Sequence, residues 1–173
     1  MKKLWVFVVL ILMCCGCGAQ ETFETIGNLE EAPVTAEPWQ MVFDLPSDAG
    51  KPVMESEEAG ILYFCEDYTL TVQTLAGGDL ERSFVQCTGF SKDALQVMQT
   101  ESQGIERYEA VWTAAAEDGE QVGRIAVLDD GNYHYVLSVM ADASKAGELT
   151  SAWQALFRSA HIADPETLVN TGS

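Results

Sequence analysis

Three cysteines within four residues, Cys14, Cys15 and Cys17, could be modified covalently, and the residues before them indicate how. Two lysines and an uninterrupted apolar run over residues 4–13 precede them. That run is too short to span a bilayer, which takes about 20 apolar residues. A basic start, a short apolar core and small residues at its end are typical of a secretory signal peptide.

The cysteines indicate a lipoprotein signal peptide, which ends at a cysteine whose thiol receives a diacylglycerol. Cleavage of such a signal needs a small residue before that cysteine. Cys17 follows Gly16, whereas the other two cysteines follow Cys14 and Met13. We therefore predict that residues 1–16 are a lipoprotein signal peptide and that Cys17 is lipidated, although the residues before it depart from the usual Leu-Ala-Gly. An ordinary secretory signal with incidental cysteines is the alternative.

The chain is strongly acidic, with a net charge of −18, and loss of the two signal-peptide lysines would make it −20. Such a protein repels nucleic acid and anionic lipid headgroups, so neither is an expected partner. The lipid bilayer is the predicted partner, reached through the diacylglycerol on Cys17 at the outer face of the bacterial cell membrane. Solubility explains the charge, and binding of cations or of a basic partner is the alternative.

Two further cysteines, Cys65 and Cys87, belong to the body of the chain. A disulfide between them is permitted outside the cytoplasm and would contribute roughly 3 kcal/mol. Both lie in apolar stretches, where a free thiol behaves as a small hydrophobic side chain. Two buried thiols are favoured, with a disulfide as the alternative.

Composition divides the chain beyond the signal peptide into three parts. Residues 17–38 hold five glutamates and two prolines with few apolar residues, which predicts an acidic, flexible tether. Residues 39–161 carry the periodic apolar patterns of one folded domain. Residues 162–173 are predicted to form an exposed tail.

The patterns in residues 39–161 predict an α+β fold with a single antiparallel sheet of about seven strands covered by two helices. One helix begins after Asp79 and ends at Gly89, and the second follows Asp142. An Asp-Gly hairpin turn is predicted at residues 129–132. The predicted strands are residues 39–45, 60–65, 68–75, 95–99, 107–114, 122–128 and 133–139.

Sequence motifs of common catalytic sites are absent: there is no G-x-S-x-G, no P-loop and no H-E-x-x-H. A catalytic Ser-His-Asp or Cys-His group would have to use His134, since His161 lies at the end of the predicted domain. Alternation places His134 opposite Tyr133 and Tyr135, as a solvent-side or helix-covered strand residue. The acidic run at residues 129–132 lacks the later ligands of a calcium loop. No catalytic residue, metal site or cofactor is therefore predicted.

Aromatic residues along the predicted strands and terminal helix are interpreted as core. The alternative is an apolar groove between the sheet and the terminal helix, a place where ligands often bind. The residues concerned are Tyr108, Trp112, Tyr135 and Trp153.

The order of elements over residues 68–157 resembles the PsbP-like proteins. The resemblance is carried by Gly77-Gly78-Asp79-Leu80, Thr88-Gly89-Phe90, Arg107-Tyr108, Tyr133-His134-Tyr135 and the last helix from Trp153. The whole chain also resembles small lipoproteins of Gram-positive anaerobes. The resemblance implies a PsbP-like fold and a non-enzymatic accessory role, and it carries over no functional residue.

These observations predict a membrane-anchored, extracytoplasmic lipoprotein that acts as an accessory or protein-binding domain, with an envelope protein as its partner. The alternative is a lipoprotein that binds a small molecule or a cation. A hydrolase with an unfamiliar site is the third hypothesis, and His134 is its only plausible base.

Overall fold

A computed structural model describes residues 37–56, 60–117 and 119–163, without the side chains of residues 54–56. The predicted signal peptide, Cys17, all but the last two residues of the tether and residues 164–173 lie outside the described residues. Within the described part, no helix is long and apolar enough to cross a membrane.

The described residues contain nine strands and two α-helices. The strands are β1 (Gln40–Val42), β2 (Met54–Ser56), β3 (Gly60–Phe64), β4 (Tyr68–Ala76), β5 (Met98–Ser102), β6 (Ile105–Ala116), β7 (Gly119–Asp129), β8 (Tyr133–Asp142) and β9 (His161–Ala163). The helices are α1 (Leu80–Thr88) and α2 (Ala146–Ser159).

One antiparallel sheet contains seven strands in the order β2-β3-β4-β8-β7-β6-β5. Six of these strands have five residues or more, and β2 is a three-residue strand at one edge. The meander of β6, β7 and β8 lies where alternation predicted it, and its two ladders run over most of each strand. The α+β class and the antiparallel sheet are therefore confirmed.

The prediction of a single sheet is wrong, because β1 and β9 pair with each other in a separate two-stranded sheet. β1 comes from the segment predicted as the first strand of the main sheet, and β9 extends into the predicted tail. Met41 pairs with Ile162, and Met41 is buried in the core. Residues 162 and 163 are therefore ordered by strand pairing and belong to the domain. The remaining strand of the main sheet, β2, lies outside the predicted strands.

The two helices pack on opposite faces of the main sheet. Phe84 of α1 belongs to a core cluster with Ile125 and Val136. Leu156 of α2 belongs to a second core cluster, with Leu137 and the other residues on the same face of β8. Because β7 and β8 are central strands, the side chains on both of their faces are removed from water.

The ends of α1 follow the sequence signals closely, whereas the start of α2 does not. The Asp79 carboxylate accepts a hydrogen bond from Arg82 N at 3.3 Å, and Gly89 ends α1 with a left-handed φ of 79°. Asp142 caps the 3₁₀ turn Ala143–Lys145 and does not cap α2, which begins at Ala146, directly after this turn.

Candidate functional site

A serine of α1 meets a histidine and an aspartate that pair with each other across the β7–β8 hairpin. Ser83 Oγ lies 2.7 Å from His134 Nδ1, and His134 Nε2 lies 3.4 Å from Asp129 Oδ2. His134 is on the face opposite Tyr133 and Tyr135, as alternation predicted. Of the two predicted alternatives, solvent-side or helix-covered, it is helix-covered, because α1 packs over it. The sequence did not indicate Ser83, because its contact with the strand depends on how α1 docks.

Burial determines what this trio can do. Ser83 is 3% exposed and His134 is 1% exposed. A serine nucleophile has to reach a substrate carbonyl, and the closed packing of α1 on β8 leaves no room for one. The trio instead satisfies the polar atoms of two buried side chains and fixes α1 on the sheet.

The two body cysteines lie on opposite faces of the main sheet. Cys65 packs against the core under α2, and Cys87 packs against the core under α1. Both are free thiols, and the Cys87 thiol donates to Gln73 Oε1 at 3.2 Å. Burial raises the pKa of both thiols, and that of Cys87 to about 11. A disulfide requires Cα atoms within about 7 Å, so a bridge between them would require the sheet to be rearranged.

Among the described residues, part of the outer side of β6 has no strand paired with it. β5 pairs with β6 only from Ile105 to Glu109, whereas β6 continues to Ala116. The part of β6 over residues 110–116, called the open edge here, has β7 on one side and no described strand on the other. Seven strand residues span roughly 20 Å. Unpaired backbone N–H and C=O groups along such a length are a template for another strand.

The open edge lacks the charged residues and prolines that natural proteins use to protect a sheet edge. Its sequence, Ala-Val-Trp-Thr-Ala-Ala-Ala, has no charge and no proline. At the opposite edge of the sheet, by contrast, the strand is three residues long and its sequence neighbourhood contains several glutamates. Short length and charged residues are common protections of an edge.

A shallow groove of about 280 Å³ runs beside the open edge. Val111 and Met98 contribute apolar surface to it, and both are more than half exposed. The residues that line this groove are Gln96, Met98, Glu109, Ala110, Val111 and Arg124. A strand added to the edge could place a side chain there.

Two arginines and a glutamate form a partly buried cluster on the face covered by α2. Glu109 receives hydrogen bonds from Arg107 Nε and Arg124 Nη2, both at 2.7 Å. Arg107 also donates to the carbonyl oxygens of Phe157 and Ala160, which are left without helical partners at the end of α2. Burial raises the pKa of Glu109, but the hydrogen bonds from Arg124 and Arg107 outweigh it, so the net pKa is below its ordinary value.

Metal ligands do not converge in the part of the chain that the structure describes. No group of three or more His, Cys, Asp or Glu side chains there could hold a metal ion. The acidic run at residues 129–132 forms the predicted hairpin turn, in which the Asp129 and Asp130 carboxylates accept hydrogen bonds from backbone N–H groups of the turn.

Comparison with known proteins identifies the fold. No family model and no curated protein sequence matches the chain. The cyanobacterial PsbP (CyanoP) of Synechocystis sp. PCC 6803 matches with a TM-score of 0.52 at 12% identity, over 72% of this chain and 92% of that chain. The predicted PsbP-like fold is therefore confirmed, and identity this low shows the fold alone.

Two other solved structures match at lower TM-scores. LpqN of Mycobacterium tuberculosis, described as involved in cell envelope biogenesis, has a TM-score of 0.46 at 16% identity, over 75% of this chain and 87% of that chain. The Ran-binding protein Mog1p of Saccharomyces cerevisiae has a TM-score of 0.49 at 14% identity, over 73% of this chain and 92% of that chain.

Proposed function

We propose that this protein is a lipid-anchored, extracytoplasmic accessory protein that binds an extended segment of another envelope protein. The partner strand adds to the open edge of β6 and extends the main sheet. The observation that carries this proposal is the uncharged, unprotected length of the edge, because strand addition uses backbone hydrogen bonds for affinity and neighbouring side-chain pockets for specificity.

The charges around the open edge define the chemistry of the partner segment. Glu117 and Glu120 are exposed where β6 turns into β7. Glu120 lies directly opposite Ala115, on the next strand inward from the edge. The partner segment therefore has small or β-branched residues at its centre and a lysine or arginine at the end that lies beside this turn. The net charge of −18 favours the approach of such a basic segment.

A second copy of this chain fits the edge less well. Pairing of two copies through the open edge would bring together two molecules that each carry a net charge of −18. Repulsion between two such acidic molecules disfavours self-association.

Attachment to the membrane rests on the signal peptide and on Cys17. Replacing Cys17 with alanine removes the thiol that would carry the diacylglycerol, and a single fractionation of cells measures the result. We expect the protein to move from the membrane fraction to the soluble extracytoplasmic fraction. The matched control is Cys15→Ala, which should stay with the membrane. Unchanged membrane association of the Cys17→Ala protein would overturn the assignment.

Partner binding is tested by placing a charge on the open edge. Thr113→Lys introduces the residue that natural edges use against strand addition, at an exposed position opposite Val122. After chemical crosslinking in intact cells, we expect at least a tenfold lower yield of crosslinked partner than for the wild type. Gln154→Lys, which adds the same charge to the exposed side of α2, should leave the yield unchanged. Equal yields for both variants, at equal melting temperature, would contradict binding at this edge.

A further inference from the structure

We propose that a cleft between the main sheet and the end of α2 binds a small organic monocarboxylate with a short apolar chain. The cleft has a volume of about 250 Å³ and lies away from the open edge. Its floor is formed by β5 and β6, and its wall by the residues that follow α2. Its polar and apolar lining includes Thr100, Ser102, Ile105, Arg107 and Ile162.

Strand alternation keeps carboxylates out of this cleft. In the ladder between β5 and β6, Thr100 pairs with Arg107 and Ser102 pairs with Ile105. Glu101 and Glu106 pair with each other between these positions, so their side chains point to the other face of the sheet. The lining of the cleft thus has one guanidinium and two hydroxyl groups, together with Gln103 and His161, and no carboxylate, in a protein that is otherwise strongly acidic.

Arg107 has capacity to bind a ligand in addition to its structural contacts. It donates one hydrogen bond from Nε to Glu109, one from Nη1 to Ala160 O and one from Nη2 to Phe157 O. A guanidinium has five N–H groups, so two remain beyond the contacts with described residues. The two that remain are one on Nη1 and one on Nη2, and either can donate a charge-assisted hydrogen bond to a carboxylate oxygen.

The charge of the cluster selects a monoanion. Arg107 and Arg124 share one carboxylate, that of Glu109, which leaves one net positive charge. The lowered pKa of Glu109 keeps that carboxylate ionised at neutral pH. The partial negative charge at the end of α2 would oppose a second negative charge on the ligand, which disfavours a phosphate dianion.

The remaining surface of the cleft suits an apolar chain. Ile105, Leu128 and Ile162 contribute apolar side chains to its lining. Thr100 and Ser102 can donate to the carboxylate oxygen that Arg107 leaves free. The volume is below the range of about 300–1,000 Å³ typical of drug-sized ligands, so a chain of a few carbons is the expected size.

Hexanoate is the probe, with n-hexanol as the matched compound that lacks the charge. Titration of the full-length protein, followed by NMR shifts, should give saturable binding of hexanoate and at least tenfold weaker binding of hexanol. Arg107→Gln should weaken hexanoate at least tenfold. Arg124→Gln also loses a bond to Glu109 but does not line the cleft, and it should stay within about threefold of the wild type.

Thr100→Phe provides a test that keeps Arg107 and its contacts with α2. Its ring would occupy the cleft, so we expect at least a tenfold loss of hexanoate binding in a folded protein. Thr113→Lys should bind hexanoate like the wild type, because the cleft and the open edge are separate sites. Absence of saturable binding, equal binding of hexanol, or unchanged binding by both Arg107→Gln and Thr100→Phe would overturn the proposal.

Discussion

Replacing Phe84 with alanine is expected to lower the free energy of unfolding by about 3–5 kcal/mol. Phe84 is the fully buried residue through which α1 contacts the sheet, with an exposed fraction of 0%. It packs with Ile125 and Val136, which are also removed from water. The loss is large because a nine-residue helix has few other apolar side chains with which to hold its position.

The matched control for Phe84→Ala is the next residue along the same helix. Val85 is 47% exposed, and Val85→Ala should change the free energy of unfolding by no more than about 0.5 kcal/mol. Urea denaturation of both variants measures the difference. A cost below about 1 kcal/mol for Phe84→Ala would show that α1 does not bury this face of the sheet.

Replacing Glu109 with alanine is the second substitution with a large expected effect. It would leave the guanidinium groups of Arg107 and Arg124 without their carboxylate, and the side chains of these arginines are 21% and 23% exposed. Removing one partner of a buried ion pair costs about 3–5 kcal/mol. Because solvent screens part of this cluster, we expect a loss of about 2–3 kcal/mol. Glu148→Ala removes an exposed carboxylate near Lys145 and should have almost no effect.

The pH dependence of stability separates the charge of Glu109 from its packing. Its folded-state pKa is lowered, so its contribution is complete above the unfolded-state pKa of about 4.3 and is lost as the pH falls through the lower folded value. The difference in unfolding free energy between the wild type and Glu109→Gln should therefore be constant near neutral pH and shrink in acid. If this difference in unfolding free energy stays constant down to about pH 3, which is below the unfolded-state pKa, the stabilisation by Glu109 comes from packing alone.

The sequence predicted best those features that depend on neighbouring residues. Alternation located β6, β7 and β8, and capping residues located both ends of α1. The hairpin at residues 129–132 followed from its Asp-Gly pair. In each case the signal and the structure that it specifies lie close together along the chain.

Features that depend on distant pairing could not be predicted in this way. β1 and β9 are three residues each and are ordered by each other, from opposite ends of the domain. The assignment of α1 and α2 to opposite faces depends on the register of β8, whose residues are apolar on both faces. The contact of Ser83 with His134 depends on how α1 docks, and the open edge depends on where β5 stops pairing with β6.

Site-specific photo-crosslinking from the open edge is the most direct test of strand addition. A photoreactive residue at Val111, which is 58% exposed, would lie beside the added strand, and one at Gln154 on α2 serves as the control. Strand addition predicts, in intact cells, an adduct from position 111 and none from 154, with the crosslinked peptide of the partner being extended, uncharged at its centre and basic at one end. Absence of an adduct from position 111, or adducts only to a second copy of this chain, would contradict it.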